Sequence, residues 1–255
     1  MAAEPGGVGG RRVGVYNAGD NVGILGTRDL GLMDKRIFND DVDSPLETPG
    51  TVAVVGGGVL GIEAALYGRY LGYKVTVFES ETVGHRVAAL GDEPLPMLPD
   101  RSFSPLAASA LAAQTDDRPA SLPMTCGQWC EQILRPLAVT DLLRGNVREG
   151  VAVRSIRLGE SEIDDDGDEL PPDFVLGLSD GTAETFEAVL VTVAGDDADR
   201  LDVAPEGPVP YGFGIHRGNT GNAEADFALG LKRIVTVFAN LADRADLDLY
   251  APRRG

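Results

Sequence analysis

Three glycines and one carboxylate carry the clearest chemistry in this chain. Gly56, Gly58 and Gly61 form G-x-G-x-x-G inside TVAVVGGGVLGIEAALYGRYLGYKVTVFES, Thr51 to Ser80, and Glu79 follows near the end of that stretch. In such a pattern the first glycine permits a tight turn. The second lets backbone approach a pyrophosphate without a side chain in the way, and the third lets a helix pack closely on a strand. The diphosphate then rests on the unpaired N–H groups at the positive end of the helix. A carboxylate about 20 residues beyond the glycines can accept hydrogen bonds from an adenosine ribose and repels a 2′-phosphate. The spacing therefore predicts the ADP half of FAD or NAD in preference to NADP. The candidate cofactor contacts are Gly56, Gly57, Gly58, Val59, Leu60 and Gly61 in the turn, with Glu79 and Ser80 after the second strand.

Other chemistry-bearing residues are sparse. Cys126 and Cys130 fall in TCGQWCEQIL, a spacing that matches neither a C-x-x-C redox pair nor a paired zinc signature, and the expectation is two reduced, half-buried thiols. The two histidines are His85, in ETVGHRVAALG, and His216, in GFGIHRGNTGN; His85 reads as an exposed loop residue, with a place facing a cofactor as the alternative. Arg86 is a candidate phosphate partner, weighed against a surface arginine. The acidic run EIDDDGDE fails as a calcium loop: its glycine comes one place too early, and Val175 stands where a closing glutamate is needed. It reads as a solvated hairpin tip. There is no serine nucleophile elbow and no assembled metal-ligand pattern.

The elements that must position the glycines follow from periodicity. TVAVV is a continuous β-branched run of the kind buried in a parallel sheet. Gly56 to Gly61 is the turn, Ile62 to Leu71 the helix, Gly72 its stop, and KVTVFES the second strand. Ser104 to Gln114 predicts another helix. CGQWCEQILRPLAVTDLL has apolar residues at helical spacing, with Pro136 starting a new turn or kinking it. REGVAVRSIRL is a strand candidate, and FVLGLSDGTAETFEAVLVTVAG gives two more strands around an SDGT turn. Before the motif, Arg11 to Gly26 reads as a short strand and a glycine-bearing turn, followed by irregular chain.

Composition bounds the rest. A chain of 255 residues, 43% hydrophobic, can bury a proper core. Its formal charge of −18 repels phosphate backbones and anionic lipid, so nucleic acid is not an expected partner. No apolar run is long enough to span a bilayer, and MAAEPGGVGGRRVGV lacks a signal-peptide pattern, so the expectation is a cytoplasmic protein with no membrane partner.

From Thr51 to about Gly195 the chain resembles the FAD-binding half of the two-dinucleotide-binding-domain flavoproteins, in their flavin-containing monooxygenase-like branch. GGGVLGIEAALYGRYLGYKVTVFES and RSFSPLAASALAAQ are similar to that group's opening segments. WCEQILRPLAVTDLLRGNVREGVAVRSI resembles its path past the adenine, which implies a role for Val153. FEAVLVTVAG resembles its FDAVILATG element, which implies contacts from Ala194 and Gly195 and leaves Val193 where a threonine is usual. The resemblance implies an α/β Rossmann-like FAD/NAD(P)-binding fold: a parallel sheet with helices on both faces and a small β-hairpin or meander addition. Residues 1–50 would be an N-terminal extension with a short strand and an irregular segment, and 51–255 a shortened nucleotide-binding domain. It further implies FAD as cofactor, with NAD the alternative, a small-molecule substrate, and a separate electron donor, because no second G-x-G-x-x-G follows Gly61. A non-catalytic nucleotide-binding protein and an NAD-dependent dehydrogenase are the competing readings. The group also has a late strand ending in glycine and aspartate. Nothing after Gly195 matches it well, and Gly19 and Asp20 offer the pairing in permuted order.

Overall fold

The computed structural model describes residues 50–114, 123–161, 163, 170–193, 196–204 and 211–251. The expected N-terminal strand, Gly19 and Asp20, most of the acidic run, and Ala194 and Gly195 lie outside these residues.

Chain order begins β1 (Thr51–Val55), α1 (Val59–Tyr70), β2 (Lys74–Phe78), α2 (His85–Ala88), α3 (Pro105–Ala112) and α4 (Cys126–Trp129). A π-helical turn over Cys130–Leu134 joins α4 to α5 (Arg135–Ala138). Then come β3 (Val147–Arg148), β4 (Val153–Leu158), β5 (Phe174–Leu178), β6 (Ala183–Phe186), β7 (Ala188–Val191), α6 (Asp196–Asp199), β8 (Asp202–Val203), β9 (Gly212–Gly214) and α7 (Ala223–Leu241).

β1 is the centre of the sheet because its residues are apolar on both faces. It pairs in parallel with β2 on one side and β7 on the other, and β3 and β9 extend the sheet to the order β3-β2-β1-β7-β9, all parallel. Val52 and Val54 project into a core shared with α1, α3, the α4–α5 helical run and α7. Ala53 and Val55 project the other way, onto Phe78, Ile156, Leu176 and Phe186. That second face is covered by a four-stranded sheet of order β6-β5-β4-β8, in which β4, β5 and β6 form an antiparallel meander and β8 pairs with β4 in parallel. The α/β Rossmann-like sheet and the meander are both present. The helical cover, expected on both faces, lies on the Val52 and Val54 face, because the residues from 153 to 186 alternate as strands and fill the opposite layer.

Four local departures have physical reasons. α1 starts at Val59, not Ile62, so the third motif glycine sits in its first turn; Gly72, with φ of +94°, closes it as expected. Pro136 does not end its helix. The π turn before it absorbs the missing N–H, and apolar residues on both sides keep the run buried. The single strand read from Arg148 to Leu158 divides into β3 and β4, in different sheets. FVLGL to LVTV gives three strands, because Glu187 alone separates β6 from β7 as the chain changes layers.

α7 closes the helical layer. Phe227, Gly230, Ile234, Val237, Phe238 and Leu241 are buried at helical spacing, and the Asn222 side chain caps the start by accepting from the Ala225 N–H at 2.9 Å. It lies hard against α1: a Cβ at Gly230 would fall 2.7 Å from Leu60, and one at Gly68 would fall 3.0 Å from Phe238. Among the described residues no helix is long and apolar enough to cross a membrane.

Candidate functional site

Parallel strands carry their useful loops at the carboxyl ends, and here the strand order reverses between β1 and β7, which opens a crevice beside β1. A cavity of about 460 Å³ lies there. Val55, Gly56 and Gly58 line it from β1 and its turn, Phe78 and Glu79 from β2, and Thr192 and Val193 from β7.

The glycine turn is shaped for close approach. Gly56 leaves β1 with φ of +110°, which L side chains rarely adopt, and a Cβ there would fall 2.7 Å from Thr192 Oγ1. Its N–H donates to the Phe78 carbonyl at 2.8 Å, and the Thr192 hydroxyl reaches the Val55 and Gly56 carbonyls at 3.0 and 3.1 Å. The turn is thus tied to both neighbouring strands. Gly61 must be glycine for another reason: its Cβ would fall 1.9 Å from the Gly56 carbonyl oxygen, so the helix could not lie this close to the turn. At Gly58 a Cβ would meet nothing within 4 Å, and this N-cap residue offers bare backbone to open space. The first N–H groups of α1 have no intrahelical acceptors, no side chain caps them, and the first turn contains no acid. Such a helix start favours an anion.

Glu79 stands beside the turn, 4% exposed. Its Oε2 accepts from the Gly57 N–H at 2.7 Å. Oε1 accepts from the Glu81 N–H at 3.0 Å and the Ser80 hydroxyl at 3.2 Å, and His85 Nδ1 lies 3.3 Å from it. These donors fix the carboxylate at the cavity wall. Ser80 lines the same cavity, and Gly150, Ala152, Val153 and Arg154 line it from the adjoining segment, which is tied to Glu79 and Glu81 by the Val151 N–H to Glu79 carbonyl (2.9 Å) and Gly150 N–H to Glu81 carbonyl (2.8 Å) bonds.

The structure therefore gathers Gly56, Gly58, Glu79, Ser80 and Val153 at one cavity. Gly57, Val59, Leu60 and Gly61 serve it from behind: Gly57 anchors Glu79, Val59 and Leu60 pack into the helical core, and Gly61 sets the helix against the turn. His85, expected as an exposed loop residue, lines the cavity through its place on α2 next to Glu79, and Arg86 lines it too. Thr192, Arg154, Asp197 and Arg200 also line it and were missed by the sequence reading. Thr192 had a usable signal, since a hydroxyl directly after a buried strand can tie down the adjacent turn. The others come from non-local pairings that no spacing encodes.

His216 is elsewhere. It follows β9, a fifth parallel strand beyond Gly195 that the sequence does not mark. β9 is GFG, too short and too rich in glycine to read as a strand, and Ile215 and His216 follow it where the resemblance called for aspartate. Burial and then the nearby Arg233 hold His216 below the usual histidine range, and Arg233 donates to its carbonyl at 2.6 Å. Cys126 and Cys130 are free and fully buried, not half-buried. Desolvation pushes both thiols up, so neither has thiolate character.

No family model matches the chain, and no curated protein matches it. Among solved structures it is similar to OTEMO in complex with FAD and NADP, at 17% identity and a TM-score of 0.42 over 59% of this chain and 28% of that one. It is similar to oxidized steroid monooxygenase bound to NADP, at 21% identity and a TM-score of 0.40, over 55% and 25% of the two chains. A third is the bacillithiol disulfide reductase Bdr of Staphylococcus aureus, at 10% identity and a TM-score of 0.37, covering 56% and 38%. This chain thus spans about a quarter to two-fifths of the length of these proteins.

Proposed function

We propose that the chain binds the ADP half of FAD in the cavity at the ends of β1, β2 and β7, and acts as an FAD-dependent, monooxygenase-like oxidoreductase. One observation carries the reading. The bare backbone of Gly58, at an uncapped helix start, faces the same cavity as the fixed carboxylate of Glu79. The residues present fit an adenosine diphosphate: Gly58 and the first turn of α1 for the diphosphate, Glu79 for the ribose, and Val153 beside the base. Arg86, Arg154 and Arg200 balance Glu79, Glu81 and Asp197 in the lining, so the cavity is formally neutral in a chain whose net charge is −18.

NAD presents the same ADP moiety and is the alternative ligand, because a carboxylate at Glu79 suits either ribose. The sequence resemblance favours FAD. When bound, a flavin supplies the redox chemistry, while the protein binds it, orients it and excludes water. Under this reading the substrate is a small molecule and electrons come from a separate donor.

The test is binding, read on the purified protein by calorimetry and by flavin absorbance as FAD, NAD and ADP are added in turn. FAD and ADP are expected to bind. The variant Gly58→Val has room for its side chain in the free protein, so it should melt with the wild type and lose both ligands. Gly61→Ala should instead lower the melting temperature, because its Cβ collides with backbone. A wild-type protein that takes up neither FAD nor ADP, or a Gly58→Val variant that binds as well as wild type, would refute the proposal.

A further inference from the structure

Two loops face each other across the cavity, and one ion pair spans them. Arg86 lies on α2, after β2, and Asp197 lies on α6, after β7; both line the cavity. The Arg86 guanidinium donates to Asp197 Oδ2 at 2.5 Å, and Arg200 approaches Oδ1 of the same carboxylate at 3.6 Å. The Asp197 side chain is 28% exposed, against 56% for Arg86 and 73% for Arg200. A carboxylate held by two arginines thus sits inside the cavity that Gly58, at the uncapped start of α1, also lines.

We propose that Asp197 is a resident counter-ion which the ligand's diphosphate displaces. Arg86, with Arg200 beside it, exchanges the Asp197 carboxylate for phosphate oxygens as the nucleotide enters. The exchange is chemically even-handed, since carboxylate and phosphate are both acceptors for a guanidinium, and an arginine engaged by one is withdrawn from the other. While the pair is closed it joins the β2 and β7 sides of the cavity. When it opens, the freed arginine holds the phosphate and Asp197 turns toward solvent. Asp197 therefore lowers affinity for phosphorylated ligands in particular and leaves affinity for the uncharged adenosine moiety alone. Arg154 lines the same cavity without an ion-pair partner among the described residues, so it plays no part in the exchange.

The inference rests on the ADP-binding reading, and a mutant cycle tests it with ADP and adenosine as probes. Asp197→Asn should bind ADP about tenfold more tightly than wild type, the scale of one charge-assisted hydrogen bond regained. Adenosine binding should be unchanged. Arg86→Ala should weaken ADP by about tenfold and leave adenosine as it is. The deciding measurement is Asp197→Asn in an Arg86→Ala, Arg200→Ala background, where little of the gain should remain because both arginines to be freed are gone. If Asp197 acted only by like-charge repulsion, the gain would persist or grow in that background, and the exchange would be wrong. An unchanged ADP affinity in Asp197→Asn would overturn it as well. A wild-type protein that binds neither ADP nor FAD would overturn the nucleotide reading first and this inference with it. All these residues are at the surface, and Asp197→Ser repeats the test should the asparagine variant misfold.

Discussion

Glu63 is the most consequential titratable group outside the cavity, and its removal should change how stability depends on pH. It sits on α1 two residues after the third motif glycine and is 1% exposed. Its Oε1 accepts from the Ser104 N–H at 2.7 Å, and the Tyr250 hydroxyl donates to Oε2 at 3.5 Å. The groups packed around it are otherwise acids or neutral. Tyr67 stacks edge-on against Tyr250 and accepts from the Leu249 N–H at 3.0 Å, and Asp248 acts on Tyr67 as a further negative charge. With no cation among the groups described, burial outweighs the Ser104 hydroxyl, the Ser104 N–H and the Tyr250 hydroxyl and pushes the Glu63 carboxyl from 4.5 up to about 7. The same burial, with Glu63 beside it, holds the Tyr250 hydroxyl well above 10.

The direction follows from proton linkage. The folded protein holds this proton more tightly than the unfolded chain does, so the contribution is fully present below pH 4.5 and is lost as pH rises through 7. At 1.36 kcal/mol per pH unit, the loss is about 3 kcal/mol by pH 8 and below about 1 kcal/mol at pH 5. Glu63→Gln keeps an acceptor for Ser104 and never ionises. Urea unfolding of both proteins from pH 5 to pH 9 isolates the effect, because the many other acids of this chain cancel in the difference. The variant should match wild type within about 1 kcal/mol at pH 5 and exceed it by about 3 kcal/mol at pH 8. A difference that is flat with pH, or that favours wild type more as pH rises, would show that Glu63 is buried at no ionisation cost and would sink the argument.

Two further outcomes test the packing. Phe238 is fully buried, with its ring 5.2 Å from that of Tyr67 and 5.6 Å from that of Tyr73. Phe238→Ala should therefore cost about 3–5 kcal/mol in chemical denaturation, and a loss under about 1 kcal/mol would mean that the α1–α7 contact can collapse around the cavity. Cys126 and Cys130 should resist a thiol reagent in the native state and react together on unfolding, with the labelling rate following the unfolding rate; fast labelling of the folded protein would place a thiol at the surface.

What could be read from the sequence divides along a physical line. β1, α1 and β2 were legible because each is written locally: an unbroken β-branched run, a glycine turn, a helix stop, a second apolar run. The meander was partly legible, since SDGT marks one hairpin, but the change of layer at Glu187 leaves no mark in a run that is apolar on both sides of it. β9 was not legible at all. A three-residue strand with two glycines has almost no propensity of its own, and it exists because β7 presents an open edge and α7 must be brought back across the sheet.

The candidate site shows the same division in sharper form. Gly58 and Glu79 were legible because the ligand contacts they imply lie within one βαβ unit. Arg86 and Asp197 are 111 residues apart, and each alone is an ordinary surface charge. Only the parallel pairing of β1 with both β2 and β7 brings their loops to one cavity. A motif can thus announce where a phosphate sits, while the charges that would set its affinity are decided by topology. This is why the mutant cycle on Arg86 and Asp197 reads the fold as directly as it reads the ligand: the coupling it measures is possible only if β7 lies beside β1, with the loops that follow β2 and β7 facing each other across the cavity.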